Sequence, residues 1–452
     1  MRKMGSNSDK FFKKNQEISK HWLYLALLSL AIAGFYSILI VALRTPGLKD
    51  LIEDKNFFRT ALIIHVDFSV LIWFLSCCLI FITSIVDKKN NYILKISYLV
   101  SYIGVALIFI SPFVSESEPI INNYVPILHN IYFILGLSLF AASIALSCVA
   151  SLINYKNLED SFLAKSSYLL AVLIVISMLA VHVTFWKMKA EFDFEYNDLY
   201  NYYEKLFWAG GHLLQFAYTQ ILILSWIVIA EKCKLKILPE NTIFMLLILN
   251  FAFVLVGFYP FPFYNINEAD FTIFFTQHMI YLGGILPSII GVFLIYSLIT
   301  SKASEQDSHL RLVLIFSLVL FFVGGAVGIL IKGTNVTIPA HYHGSIIGIT
   351  IALTGMVYYL LNIYNFGQVK IKLAKWQVYL YSVGQLIHIF GLSRSGGYGV
   401  MRKDPNSYLS FQAKLNMGLM GAGGLIAIIG GIVFVVLCYL AIIHKTNRIK
   451  SK

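Results

Sequence analysis

The sequence predicts an all-α polytopic membrane protein with twelve transmembrane helices. Of its 452 residues, 58% are hydrophobic and only 13% are charged, and the mean hydropathy is +0.75. Soluble domains typically carry about 25% charged residues and lack apolar runs long enough to cross a membrane. We therefore expect the chain to fold within a lipid bilayer.

The apolar runs each have roughly 20 residues or more, which as a helix is enough to cross a hydrocarbon core of about 30 Å. A polar, basic stretch of about twenty residues precedes the first run, which has no small-residue cleavage site, so we predict a retained anchor. The expected organisation is a basic tail at 1–20, a membrane domain at 21–444 and a second basic tail at 445–452. The twelve predicted segments are 22–44, 61–86, 94–114, 125–153, 163–186, 206–230, 243–262, 272–300, 311–331, 338–364, 374–393 and 416–443.

The orientation follows from lysine and arginine, which accumulate in cytoplasmic loops. Both tails and the loops after segments 2, 6 and 10 are basic, whereas most of the opposite loops are acidic or poor in lysine and arginine. Both termini are therefore predicted to be cytoplasmic. The net charge of +12 reflects this bias and gives no reason to expect nucleic-acid binding.

Eight of the eleven histidines fall near the predicted outer ends of the segments. Neutral imidazole is a common ligand of haem and transition metals, and helix bundles hold such sites between facing helices. A single intramembrane histidine is more often a hydrogen-bonding group between helices, but eight at one level favour metal or haem binding. The eight are His65, His129, His182, His212, His278, His341, His343 and His388.

The sharpest local motif is Ala-His-Tyr-His-Gly at 340–344, at the start of segment 10. Two residues at i and i+2 on a helix point about 200° apart. His341 and His343 therefore cannot easily bind one metal, but they can serve two centres on opposite sides of the helix. The alternative is a pair of unrelated hydrogen bonds between helices.

Together these features resemble the catalytic subunit I of the haem-copper oxygen reductase superfamily, which also includes the nitric oxide reductases. The resemblance rests on the twelve segments, a histidine near the outer start of segment 2, another at the start of segment 6, and the His-x-His motif. It implies that His65 and His343 bind a low-spin haem and that His341 is the proximal ligand of a high-spin haem. His212, in the stretch Trp-Ala-Gly-Gly-His at 208–212, would bind the distal copper or non-haem iron. The two glycines would admit a macrocycle or a neighbouring helix.

The chain also departs from the family pattern at the distal metal. Family members carry a His-His pair after segment 7, whereas this chain has only His278, either a displaced ligand or a residue that supports the ligands. Four residues after His212, where one branch of the family has a cross-linked tyrosine, this chain has Phe216. Tyr218 and Tyr281 are the candidate replacements, and each has the alternative role of a packing aromatic. The acidic residue that feeds one proton channel near the segment 6 histidine is absent, which puts pumping by that route in doubt.

The loop between segments 11 and 12 is basic, against the general trend. In the resembled family, basic residues of this loop bind the haem propionates, and Arg394, Arg402 and Lys403 would do so in this chain. The alternative is a surface patch for an acidic partner. Either interpretation places negative charge on the outer side.

The resemblance implies an enzyme of the bacterial inner membrane, the catalytic subunit of a respiratory terminal oxidase that reduces O2 to water. Electrons from cytochrome c or quinol would arrive through partners that include a subunit II. One alternative is reduction of NO, favoured if iron is held partly by a carboxylate such as Glu268 or Asp270. A second is a two-haem electron-transfer or sensor protein without the distal metal. A transporter built from inverted repeats is disfavoured because the two halves show no convincing similarity.

Overall fold

The computed structural model describes residues 7–44, 55–87, 91–191, 198–401 and 410–450. These residues are almost entirely helical, which confirms the all-α fold. The helices are α1 (Asn7–Lys13), α2 (Gln16–Arg44), α3 (Lys55–Val66), α4 (Trp73–Ser84), α5 (Asn91–Val114), α6 (Ile131–Ile153), α7 (Phe162–Glu191), α8 (Leu199–Lys232), α9 (Glu240–Val256), α10 (Pro260–Phe263), α11 (Ala269–His278), α12 (Ile285–Thr300), α13 (Ser308–Ile329), α14 (Thr337–Ile363), α15 (Ile371–Gly397) and α16 (Phe411–Lys450).

Eleven helical stretches within the described ranges are long and apolar enough to span a membrane, and they coincide with eleven of the twelve predicted segments. The remaining segment, 374–393, forms α15, which has 27 residues. This helix is long enough to span but more polar, because it carries Gln377, Gln385 and His388. Both glutamines on α15 are buried, so the polar side of this helix faces protein.

Segments 2 and 8 are each interrupted by a π-helical turn. Asp67–Ile72 joins α3 to α4, and Met279–Gly283 joins α11 to α12. The first turn begins two residues after His65, and the second follows His278 directly. Single π-helical turns within α-helices are often found at functional sites. Both interruptions therefore favour a functional role for the histidines beside them.

A short hairpin connects α5 to α6. Its strands, β1 (Glu118–Ile120) and β2 (Ile127–His129), pair antiparallel, with Glu118 opposite His129 and Ile120 opposite Ile127. In the turn, the side-chain oxygen of Asn122 accepts hydrogen bonds from the backbone N–H groups of Tyr124 and Val125, at 3.1 and 2.9 Å. An asparagine side chain commonly fixes a turn in this way. We call residues 118–129 the Tyr124 hairpin.

The chain divides into two compact units. Unit 1 comprises Met1–Ser29, Arg59–Leu224 and Leu238–Ile290 and contains His65, His212 and His278. Unit 2 comprises Leu30–Phe58, Ser225–Ile237 and Gly291–Lys452 and contains His341, His343 and His388.

Two buried polar side chains of unit 2, those of Trp226 and Ser317, form hydrogen bonds within the protein, as most buried polar groups do. The indole Nε1–H of Trp226 donates to Ser317 Oγ at 2.8 Å, and that hydroxyl donates to the carbonyl oxygen of Gly348 at 2.6 Å. Trp226 and Ser317 are both 0% exposed. This chain of bonds links α8, α13 and α14.

We expect Ser317→Ala to lower the stability of unit 2, because it leaves the buried Trp226 N–H without an acceptor. Loss of one partner of a buried hydrogen bond costs about 1–3 kcal/mol, with values near the lower end in membrane proteins. Thermal unfolding of the purified protein measures the effect. Ser138→Ala is the control, because this exposed hydroxyl bonds only to its own helix at Ile134. Equal unfolding midpoints for the two variants would contradict the expectation.

Candidate functional site

His212 lies on α8 and is 4% exposed. Its Nδ1–H donates to the carbonyl oxygen of Trp208 at 2.8 Å, so the proton of the neutral ring lies on Nδ1. Its Nε2 is 2.8 Å from the hydroxyl of Tyr124, which therefore donates to the Nε2 lone pair. The side-chain amide of Gln215 donates to the same hydroxyl oxygen at 3.4 Å. The free lone pair of His212 is thus directed at Tyr124.

The two glycines before His212 make room for different neighbours. A Cβ on Gly211 would lie 2.3 Å from Cγ of Tyr124, so this glycine admits the tyrosine ring. A Cβ on Gly210 would lie 2.3 Å from Cγ2 of Val181 on α7, so it permits close helix packing. In this structure the space beside Gly211 is taken by a side chain of the Tyr124 hairpin.

His278 is the last residue of α11 and is 5% exposed. Its Nε2–H donates to the carbonyl oxygen of Phe253 at 2.8 Å, while its Nδ1 is buried and has no hydrogen-bond partner among the described residues. The ring lies 5.0 Å from that of Phe216, one turn along α8 from His212. His278 therefore offers a buried nitrogen lone pair on the side of α8 that carries Phe216.

His341 lies on α14 and faces α13. Its Nδ1–H donates to the carbonyl oxygen of Gly324 at 2.8 Å, which leaves the lone pair on Nε2. The two helices meet closely, since a Cβ on Gly344 would lie 2.2 Å from the Cα of Gly324. The glycine at the end of the Ala-His-Tyr-His-Gly motif is thus the point of contact that brings His341 to its carbonyl acceptor.

His343 faces α15 instead. Its Nδ1–H donates to Oε1 of Gln385 at 3.3 Å, and its ring lies 4.5 Å from that of His388. His388 in turn donates from Nδ1 to the carbonyl oxygen of Met420 at 2.9 Å. The two histidines of the motif therefore contact different neighbouring helices, and His388 belongs to the side of His343.

Two residues of unit 1 were not identified from the sequence. Asp67, two positions after the half-buried His65, is 1% exposed, and both its carboxyl oxygens lack a partner among the described residues. An acidic residue within an apolar segment is itself a sequence signal of a functional site, so Asp67 could have been found. Tyr124 gives no such signal, because it lies in a polar loop 88 residues from His212.

The remaining candidates lie in different surroundings. Tyr218 is buried, with its ring 4.9 Å from that of Phe74, whereas Tyr281 is 70% exposed and so does not point into the interior. Glu268 and Asp270 are exposed, and Glu268 accepts a hydrogen bond from the side chain of Asn265 at 2.7 Å. Arg394 is exposed in the last turn of α15. Arg402 and Lys403 lie outside the described residues.

Comparison with known proteins settles the family. Residues 17–433 match the family described as Cytochrome C and Quinol oxidase polypeptide I. The chain belongs to this haem-copper oxidase subunit I family. The resemblance found in the sequence is thereby confirmed.

Relatives of this subunit I-like chain occur in two bacteria. A protein of Rickettsia prowazekii (strain Madrid E), named Uncharacterized protein RP382, is 35% identical over 94% of this chain and 96% of its own length. An uncharacterized protein of Aquifex aeolicus (strain VF5) is 29% identical over 83% of this chain and 92% of its own. A chain from the cryo-EM structure of a heme-copper terminal oxidase dimer matches with a TM-score of 0.66 and 16% identity, covering 97% of this chain and 84% of that one. This last match concerns the fold.

Membership of the subunit I family implies haem cofactors, and the histidine geometry fits them. Metal-binding histidines almost always donate their second ring N–H to a carbonyl or carboxylate, which fixes the ring. His341 does so from Nδ1, which leaves its lone pair on Nε2. His212 also donates from Nδ1, but its Nε2 accepts a hydrogen bond from the hydroxyl of Tyr124. The fit at the distal metal is less complete, because no three His, Cys, Asp or Glu side chains cluster as a metal site among the described residues.

We expect Gly344→Ala to separate α13 from α14, because the new methyl group would overlap backbone atoms of Gly324. Overpacking of this kind costs about 1–3 kcal/mol, measured as a lower unfolding midpoint. Gly325→Ala on α13 is the matched control, because a Cβ there meets nothing within 4 Å. A Gly344→Ala protein as stable as the Gly325→Ala protein would contradict this account of the helix contact.

Proposed function

We propose that this chain is the catalytic subunit of a respiratory terminal oxidase that reduces O2 to water. In this proposal His65 and His343 bind a low-spin haem, His341 binds a high-spin haem, and His212 binds the distal metal with help from His278. The observation that carries it is the divergence of His341 and His343, whose Nδ1–H groups bond to α13 and α15 respectively. Together with the family match, this arrangement supports two haems on opposite sides of α14.

When bound, the haems would supply electron transfer, and the high-spin haem and the distal metal would supply the site of O2 reduction. The residues of this chain have simpler tasks. The carbonyl groups of Trp208 and Gly324 hold the rings of His212 and His341 in one tautomer, with the proton on Nδ1 and the lone pair on Nε2. Arg394, with Arg402 and Lys403, is proposed to pair with haem propionates, as bidentate arginines do with carboxylates.

The protein is an integral membrane protein. We propose that it lies in the bacterial inner membrane and that both of its termini are in the cytoplasm. We also propose association with further oxidase subunits, including a subunit II that delivers electrons from cytochrome c or quinol. The basic ends of the chain support the orientation.

Reduced spectra of the purified full-length chain, recorded with and without carbon monoxide and beside metal analysis, test the oxidase proposal. We expect two haems per chain, one of which binds CO, together with one copper. Non-haem iron in place of copper would instead support NO reduction, and two haems without CO binding or a further metal would support an electron-transfer or sensor role. A chain purified from its native membrane without haem would overturn the proposal.

Histidine variants test the assignment of the two haems. We expect His341→Ala to abolish the CO-induced spectral change and keep the low-spin spectrum, because only the proximal ligand of the CO-binding haem is removed. His343→Ala is expected to do the reverse. His182→Ala is the control, since that imidazole accepts a hydrogen bond from exposed Trp186 and has no assigned ligand role. Loss of the same haem in the His341 and His343 variants would contradict the assignment.

A further inference from the structure

We propose that Tyr124 is a ligand of the distal metal, supplying its phenol oxygen beside Nε2 of His212. This inference rests on the proposed function, in which His212 binds that metal. In this proposal the phenol oxygen of the Tyr124 hairpin replaces one of the metal ligands that the missing His-His pair would supply. The donor set would then combine at least one imidazole nitrogen with one phenol oxygen.

The separation of the two donor atoms is compatible with shared coordination. The hydroxyl oxygen of Tyr124 lies 2.8 Å from Nε2 of His212. Metal bonds of about 2.0–2.2 Å at angles of about 90–110° hold neighbouring donor atoms about 2.8–3.6 Å apart. The 2.8 Å separation is that of a hydrogen bond, and it also lies within the range for adjacent ligands. On coordination the metal would take the Nε2 lone pair, the phenol would release its proton to solvent, and the oxygen would turn off the lone-pair axis to become the neighbouring ligand.

The Tyr124 hairpin is built to hold the ring in this place. Its turn is fixed by the Asn122 side chain, and the backbone N–H of Asn123 donates to Oε2 of Glu204 on α8 at 2.8 Å. The aromatic ring stands edge-on to Trp208, with centroids 5.7 Å apart, and fills the space that Gly211 leaves open. Three neighbours on α8 thus position one loop tyrosine.

Two further groups, the side chains of Gln215 and His278, lie where they would support a metal bound to a phenol oxygen. The amide of Gln215 donates to the phenol oxygen, and a hydrogen bond of this kind orients a ligand and stabilises its charge. The unpartnered Nδ1 of His278 provides a buried nitrogen on the same side of unit 1. Because a phenol oxygen is a harder donor than imidazole, we expect the site to favour iron or oxidised copper over reduced copper.

A hydroxyl that merely caps His212 makes the opposite prediction. If Tyr124 only blocks the lone pair, its removal frees Nε2, and metal affinity stays equal or rises. If Tyr124 is a ligand, its removal lowers the affinity. The sign of the change therefore separates the two roles.

The test uses Tyr124→Phe in the full-length, detergent-solubilised protein, titrated with Cu²⁺ and separately with Fe²⁺. We expect affinity for the preferred metal to fall about tenfold or more, since even residues that only support a ligand change affinity by about 10–100-fold. In the Cu²⁺-loaded wild type, resonance Raman spectra should contain phenolate modes that shift when tyrosine is ring-deuterated and that vanish in the variant. Unchanged or tighter binding by Tyr124→Phe would overturn the proposal.

Tyr203→Phe is the matched control. Its hydroxyl lies 3.3 Å from Nδ1 of His129, the end of β2, so this variant also loses a tyrosine–histidine bond of the Tyr124 hairpin. It should keep wild-type metal affinity, whereas an equal loss in both variants would show that the hairpin acts only structurally. Haem is quantified in every sample. A wild type with haem that binds neither metal overturns the role of Tyr124, and a wild type without haem overturns the proposed function itself.

Discussion

The structure depends on how imidazole rings are held where water is absent. A histidine in a hydrocarbon environment must find a partner for its N–H within the protein. For His212, His341 and His388 that partner is a backbone carbonyl, that of Trp208, Gly324 or Met420 respectively. Since a carbonyl can only accept, each bond fixes the ring proton on Nδ1 and leaves Nε2 as the only nitrogen that can coordinate. One hydrogen bond thus satisfies the ring N–H and also determines which nitrogen keeps the lone pair.

Close helix contacts supply the geometry for these bonds. His341 can donate to Gly324 because the backbones of α13 and α14 approach at Gly324 and Gly344, where any side chain would overlap. Glycine allows a close approach in the same way beside His212, where Gly210 admits α7 and Gly211 admits the ring of Tyr124. The short motifs around His212 and His341 thus contain both the histidine and the glycine that makes room for the group in contact with it.

Features that repeat along the chain could be predicted from the sequence, and features that depend on a loop could not. Segment number and the helical positions of His212, His341 and His343 follow from hydropathy and from the 3.6-residue helical period. The π-helical turn after His65 leaves no mark in the apolar pattern, and segment 8 contains a similar turn after His278. The role of Tyr124 could not be predicted, because its position depends on an asparagine turn and on a contact with Glu204 far along the chain. Asp67, by contrast, was visible as a charge in an apolar run.

The distance along the chain between Tyr124 and His212 has a consequence for biogenesis. The two residues are separated by α6 and α7, so their bond cannot form until both helices and the start of α8 have entered the membrane. A nascent chain that ends before α8 contains the hairpin but lacks its anchor at Glu204 and the imidazole it contacts. Any metal held there must therefore be inserted after the first six membrane segments are assembled, which makes maturation of this site a late, post-insertion step.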